Sequence, residues 1–137
     1  MNYLIILLGP SGSGKTTLEK KLVSLYPEQF KRSVSATTRS PRDGEVNGQD
    51  YYFVSHEKFK EITMIGSNQF DSNFYGMPLS ELSGNKHIVL TTEPQGAYNV
   101  LNYIKINDIK IKPIIVYFDI AQEKRVNNMI TRGDDEN

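Results

Sequence analysis

The stretch that decides the fold runs Tyr3-Leu4-Ile5-Ile6-Leu7-Leu8-Gly9-Pro10-Ser11-Gly12-Ser13-Gly14-Lys15-Thr16-Thr17. Tyr3–Leu8 is a continuous apolar run, the pattern of a strand covered on both faces. A glycine-rich turn follows. Lys15–Tyr26 then reads as a helix, with Leu18, Leu22 and Leu25 on one face and Pro27 as its stop. Gly9–Thr16 fits G-x-x-x-x-G-K-[ST], in the strand–turn–helix context that pattern requires. The glycines let successive backbone N–H groups point inward, and the helix N-terminus faces the same space, so the turn suits an anion. Ser11, Gly12, Ser13, Gly14, Lys15, Thr16 and Thr17 are the candidate ATP phosphate-binding residues. Lys15 would reach the β- and γ-phosphates and the Thr16 hydroxyl would bind Mg²⁺. The plain alternative is a glycine-rich turn with no ligand; average residue usage makes a chance match in such a chain about one in a few hundred.

Outward from this unit the segment types alternate. Ser33–Ser35 reads as a short strand, Arg39–Gln49 as a turn-rich loop and Tyr51–Val54 as an aromatic strand. Ser55 is placed to cap a short helix over His56–Ile62, and Gln69–Met77 has room for two short strands. The opening rhythm then returns: a strand at His87–Leu90, a helix over Gln95–Ile104 opened by Pro94, a strand at Lys112–Phe118, and a helix over Ala121–Thr131 closed near Gly133. Alternating strands and helices predict an α/β fold with a parallel sheet flanked by helices. The middle predicts a small inserted mixed β/α subdomain. The expected division is one domain with a core of residues 1–32 and 84–137 and an insert of about 33–83.

Composition removes whole classes of function. The chain has no cysteine, which excludes a disulfide scaffold, thiolate metal ligands and a cysteine nucleophile. Two histidines make a histidine-built metal site a poor expectation. Sixteen basic residues balance sixteen acidic ones, so no global basic surface for nucleic acid is expected. Leu4–Leu8 is far shorter than the roughly 20 residues of a membrane span, and it lacks the flanks of a signal peptide. The expectation is a cytoplasmic protein (the host cytoplasm if the source is viral), monomer or homodimer, with no membrane partner.

The second informative stretch is Ser33-Val34-Ser35-Ala36-Thr37-Thr38-Arg39-Ser40-Pro41-Arg42-Asp43-Gly44-Glu45, continuing through Gly48, Asp50 and Tyr51 to Phe53. Arg39 and Arg42 are two forked cations on a loop that Pro41 stiffens, a pairing suited to a phosphate monoester. Tyr51 and Tyr75 would each donate a hydroxyl to it, and Ser35 would hydrogen-bond a base edge. On residues alone the same stretch also reads as a solvated basic turn with two packed tyrosines. Phe74 and Tyr75 read as a base stack or, more simply, as packing.

Together with the phosphate loop, this stretch resembles guanylate kinase. The family pattern S-V-S-x-T-T-R-x-P-R-x-G-E-x-x-G-x-D-Y-x-F is kept at every fixed position. The resemblance extends through Asn73-Phe74-Tyr75-Gly76, Gln95-Gly96 and Arg132-Gly133. It implies a P-loop NTPase-type fold and transfer of the ATP γ-phosphate to GMP or dGMP, with Mg²⁺ as the metal. By the same resemblance Ser35, Arg39, Arg42, Tyr51 and Tyr75 bind GMP. Lys15, Arg132 and Glu93 are the catalytic set, and Thr16 and Glu93 face the metal.

The chain departs from the family in four places. The family's L-D-x-D-x-Q-G reads Leu90-Thr91-Thr92-Glu93-Pro94-Gln95-Gly96, so Thr91 replaces the first aspartate and Glu93 the second. The family clamps the transferring group with two arginines one helical turn apart; here the second is Arg132 and the first aligns with Asn128, with Arg125 nearby. Gly66 falls where the family has its guanine-reading glutamate, with Asp71 the nearest acid as a substitute. Family members also continue beyond Asn137, which leaves a minimal protein or a truncated product as expectations. Intact phosphate anchors beside an altered base pocket suggest shifted base specificity. The alternative is a catalytically weak or inactive module that binds nucleotide or a protein partner.

Overall fold

The computed structural model describes residues 2–119. The apolar run forms β1 (Tyr3–Leu8), with Leu4, Ile6 and Leu7 fully buried. The glycine turn leads into α1 (Lys15–Leu25), and the chain returns as β2 (Phe30–Arg32). β7 (His87–Thr91), α3 (Pro94–Ile106) and β8 (Lys112–Tyr117) complete this half. The four strands make one parallel sheet in the order β2-β7-β1-β8. The connection through α1 passes from β1 beyond β7, whereas α3 carries the chain from β7 across β1 to β8. The crossovers diverge, and the crevice this opens lies at the C-terminal ends of β1 and β7, where open α/β sheets hold ligands.

Strand periodicity sorts the two sheet faces. Leu4 pairs with Ile88 and Ile6 with Leu90, and these four join Ala97, Val100 and Ile104 of α3 in the core. Thr91 has the opposite parity and meets α1, where its hydroxyl donates to Glu19. Of the expected α1 stripe, Leu18 and Leu22 are half-buried and Leu25 is 66% exposed, while Glu19 is the buried residue. The inward face is rotated by one residue, about 100°, toward Thr91 and the Arg32 guanidinium, 3.5 Å from Glu19.

The middle of the chain forms a second sheet in the order β4-β3-β6-β5. Its strands are β3 (Ala36–Thr37), β4 (Tyr52–Phe53), β5 (Met64–Phe70) and β6 (Asn73–Pro78). α2 (His56–Glu61) lies between β4 and β5, with the expected Ser55 cap accepting from the Lys58 amide. β5 and β6 begin and end outside the Gln69–Met77 expectation, and their pairing is longer. Ile65 and Met77 of this sheet belong to the same core cluster as β1, β7 and α3, so the two sheets share one interior.

Ser33–Ser35 is not a strand. It is the crossing between sheets: the Ser33 amide still bonds to Val89 of β7, while the Ser35 carbonyl already accepts from Tyr52 beside β3. The Val34 amide at the midpoint belongs to neither ladder. It donates instead to the Glu81 carboxylate at 2.7 Å. Glu81 sits, buried, in a 3-10 turn (Leu79–Leu82) on the returning segment, and its other oxygen accepts from the Tyr52 hydroxyl at 3.2 Å. Burial beside Glu81 pushes the Tyr52 phenol up from its ordinary pKa.

No helix among the described residues is long and apolar enough to cross a membrane. The expected helix over Ala121–Thr131, with Arg125, Asn128 and Arg132, lies outside the described residues.

Glu81→Ala leaves the Val34 amide buried without its acceptor, which costs about 1–3 kcal/mol. Urea unfolding is expected to show that loss. Glu81→Gln, which keeps a carbonyl in place, is expected to lose less.

Candidate active site

The phosphate loop holds its shape through backbone conformations that side chains rarely adopt. Gly9, Gly12 and Gly14 have φ of +143°, +79° and +103°. Gly9 is also a contact point: a Cβ there would lie 2.8 Å from the Phe118 carbonyl oxygen. The end of β8 presses on the loop at that point, where the Phe118 amide donates to Leu8 at 2.8 Å. Lys15 opens α1, and its ammonium donates to the Gly9 carbonyl. The Ser13 hydroxyl is buried with no hydrogen-bond partner among the described residues. A cradle of glycines, a helix N-terminus, a lysine and an unsatisfied hydroxyl together fit a polyphosphate. Thr16 is half-buried, and Ser11 and Thr17 are exposed on the same turn.

Lys15 opens on a cleft of about 760 Å³ between the two sheets. Four of the expected site residues line it: Lys15 from the phosphate loop, Ser35 from the crossing, Tyr75 from β6 and Glu93 from the N-terminus of α3. Glu93 is exposed and makes no capping hydrogen bond with its side chain, so its carboxylate is available. Thr16 and Glu93 are oxygen donors of the kind Mg²⁺ takes alongside water and phosphate. No cluster of three or more acidic, histidine or cysteine residues exists among the described residues.

Arg39, Arg42 and Tyr51 are not among the residues lining the cleft; Tyr51 and Arg39 reach Tyr75, which does line it. The Arg39 guanidinium makes a two-pronged pair with Glu45, at 2.9 and 3.1 Å. It lies 5.4 Å from the centre of the Tyr51 ring, and Tyr51 meets Tyr75 edge-on with centres 6.0 Å apart. Glu45 also accepts from the Arg42 amide at 2.7 Å. Glu45 therefore ties both arginine positions together. Its hydrogen bond from Arg39, then that from the Arg42 amide, hold its pKa down to about 2. Conversely Arg39 is raised above its ordinary value, chiefly by the bond to Glu45. Sequence reading gave Glu45 no role; the signal was an acid close behind two arginines within one turn-rich loop.

Asp71, the expected substitute for the family's glutamate, is not among the residues lining the cleft. It occupies the two-residue turn between β5 and β6, with φ of 51° at Asp71 and 63° at Ser72, the backbone of a type I′ hairpin. That turn puts Asp71 at the exposed tip of the hairpin; it does not line the cleft, although its neighbour Phe70 does. Thr91, in place of an aspartate, donates to the buried carboxylate of Glu19. Glu19 went unread because it sits on the sheet-facing side of a helix, where an apolar residue is the usual occupant. Gly66 lines the cleft as expected from its position, at a bulge between Ile65 and Ser67 with φ of +67°.

A parallel sheet with a glycine-rich loop and a lysine after its first strand, beside a second, mixed sheet, defines an α/β protein of the P-loop NTPase type. The guanylate kinase family model matches residues 1–137, and the chain belongs to that family. It is 47% identical to a guanylate kinase of Trichormus variabilis over 105 residues, covering 71% of this chain and 52% of that protein. It is 36% identical to a guanylate kinase of Wolbachia pipientis over 140 aligned positions, covering 96% of this chain and 68% of that protein. The crystal structure of guanylate kinase from Anaplasma phagocytophilum matches with a TM-score of 0.61 at 26% identity, over 95% of this chain and 67% of that one. The chain spans about half the length of several curated relatives it matches.

The Glu45 pairing has a defined pH signature. A carboxyl depressed from 4.5 to about 2 on folding binds more protons in the unfolded state between those values. Its stabilising contribution is present in full above pH 4.5 and is lost as pH falls toward 2. The stability difference between the wild type and Glu45→Gln, measured by denaturant unfolding at several pH values, is expected to shrink across that window. Carboxyl chemical shifts followed by NMR would report the depressed titration directly.

Proposed function

We propose that this chain is a nucleoside monophosphate kinase of the guanylate kinase type, catalysing ATP + GMP = ADP + GDP. The observation that supports the reading is that Lys15, after the glycine loop, and Tyr75, whose ring meets Tyr51 beside Arg39, line one cleft. A lone nucleotide-binding module needs only the first. The second suits the acceptor phosphate, and the facing arrangement suits in-line transfer.

In the proposed reaction an oxygen of the GMP phosphate forms a bond to the γ-phosphorus of ATP, and the bond from that phosphorus to the β,γ-bridging oxygen breaks. ADP leaves with the bond pair. The attacking oxygen is already ionised, so no side chain serves as a strong base. Lys15 would neutralise charge on the β- and γ-oxygens, and the loop amides would orient them. Arg39, held by Glu45, and Tyr75 would fix the acceptor phosphate; Arg42, whose charge also acts on Glu45, would add a second cation. Mg²⁺, held by Thr16 with Glu93 nearby, would supply further charge neutralisation. We also propose that the second sheet, with residues 33–83, is the monophosphate-binding unit, and that Arg132 adds a cation to the transferring group.

The test is ADP release by the purified chain with Mg-ATP and GMP. The expected result is GMP-dependent turnover, reduced about 100-fold or more in Lys15→Met, in line with loss of a charge-stabilising group. Arg39→Ala is expected to act mainly on KM for GMP. Binding of Mg-ATP with no ADP released on any monophosphate would contradict the enzyme and leave a nucleotide-binding module.

A further inference from the structure

The inner end of the cleft, around Gly66, has a chemistry of its own. Its walls include Ile65, Met77, Leu90 and Val100, all buried. Beside Lys15 and Glu93 the polar groups of the cleft are neutral: the amides of Asn68, Gln95 and Asn99, and hydroxyls that include those of Ser35, Ser67 and Thr92. Apolar walls with an uncharged polar edge fit a flat, neutral, hydrogen-bonding group such as a nucleobase.

Asn99 fills the space that Gly66 leaves. A Cβ on residue 66 would lie 3.0 Å from Asn99 Nδ2 and 3.2 Å from Asn99 Cβ. Glycine at 66 and asparagine at 99 are therefore one arrangement: the bulged strand gives way and α3 delivers an amide. One helical turn earlier, Gln95 Nε2 donates to Asn99 Oδ1 at 3.0 Å. That bond leaves Gln95 Oε1 and Asn99 Nδ2 with no protein partner among the described residues. In either orientation of the two amides, a bonded pair presents one outward acceptor and one outward donor.

We propose that the Gln95–Asn99 amide pair is the base-reading group of this chain, and that it recognises a 6-oxopurine without requiring the 2-amino group. This rests on the monophosphate-kinase reading. A carboxylate offers two acceptors and so favours guanine, whose N1–H and N2–H are both donors. The amide pair offers one acceptor for N1–H and one donor for O6, and hypoxanthine satisfies both as well as guanine does.

The experiment is calorimetric titration of the 137-residue chain with GMP and with IMP, alongside Mg-ATP as a control ligand. The expected result is that GMP and IMP bind within about fivefold of each other, because the hydrogen bonds made are the same. Asn99→Asp restores a pair of acceptors and is expected to raise the GMP preference about tenfold or more. A packing role alone would not move that ratio. Gln95→Ala, at an exposed position, is expected to weaken both ligands about equally and guards against a folding defect in the first variant. GMP and IMP both binding, with GMP favoured more than about 100-fold or with a ratio unmoved by Asn99→Asp, would overturn the base-reading proposal alone. Binding of Mg-ATP with neither monophosphate would overturn the kinase reading and this proposal with it.

Discussion

A phosphate loop and an anion site on separate sheets serve one reaction only if the chain between them is held at a fixed bend. The buried Glu81 carboxylate does this. It accepts from the Val34 amide, at the midpoint of the crossing, and from the hydroxyl of Tyr52 on the second sheet. It does so from the 3-10 turn on the segment that returns to the first sheet, so the crossing, the returning turn and β4 meet at one group. A carboxylate with hydrogen bonds at both oxygens is tolerated in the interior, whereas the amide it serves would be costly unpaired. Ser35, next along the chain, takes its place at the cleft from this bend.

Conformational limits on single residues do the rest of the positioning. Positive φ at Gly9, Gly12 and Gly14 shapes the loop, and the end of β8 packs so closely on Gly9 that a side chain has no room there. On the second sheet's side, Arg39 lies between the two oxygens of Glu45 and the face of Tyr51. A guanidinium already oriented loses less freedom on meeting a phosphate than a solvated one. Glu45 thus acts through Arg39, by placing it.

Legibility from the sequence followed how local the cause was. β1, the phosphate loop, α1 and α3 were readable because burial on both faces, glycine spacing and a Pro94 start leave marks within a few residues. The crossing at Ser33–Ser35 was not, because a β-prone triplet does not say which sheet it pairs with. The decisive partner, Glu81, is far along the chain. Asp71 shows a similar limit: its acidity was visible, but not that Phe70 pairs with Asn73 and leaves Asp71 and Ser72 as the hairpin turn. Arg39 and Glu45 were both visible, yet charges in a turn-rich loop look alike whether solvated or paired. Asn99 carried no signal of its own; only the space left by Gly66 gives it meaning.

The central claim is that the two anion sites belong to one continuous cleft. The most direct measurement is the affinity and stoichiometry of a single molecule that joins adenosine and guanosine through a chain of phosphates. The account predicts one such molecule per chain, bound tighter than ATP or GMP by about 100-fold or more through linkage of the two ends, and displacing both. Displacement of only one nucleotide, with no gain in affinity over that nucleotide alone, would contradict it.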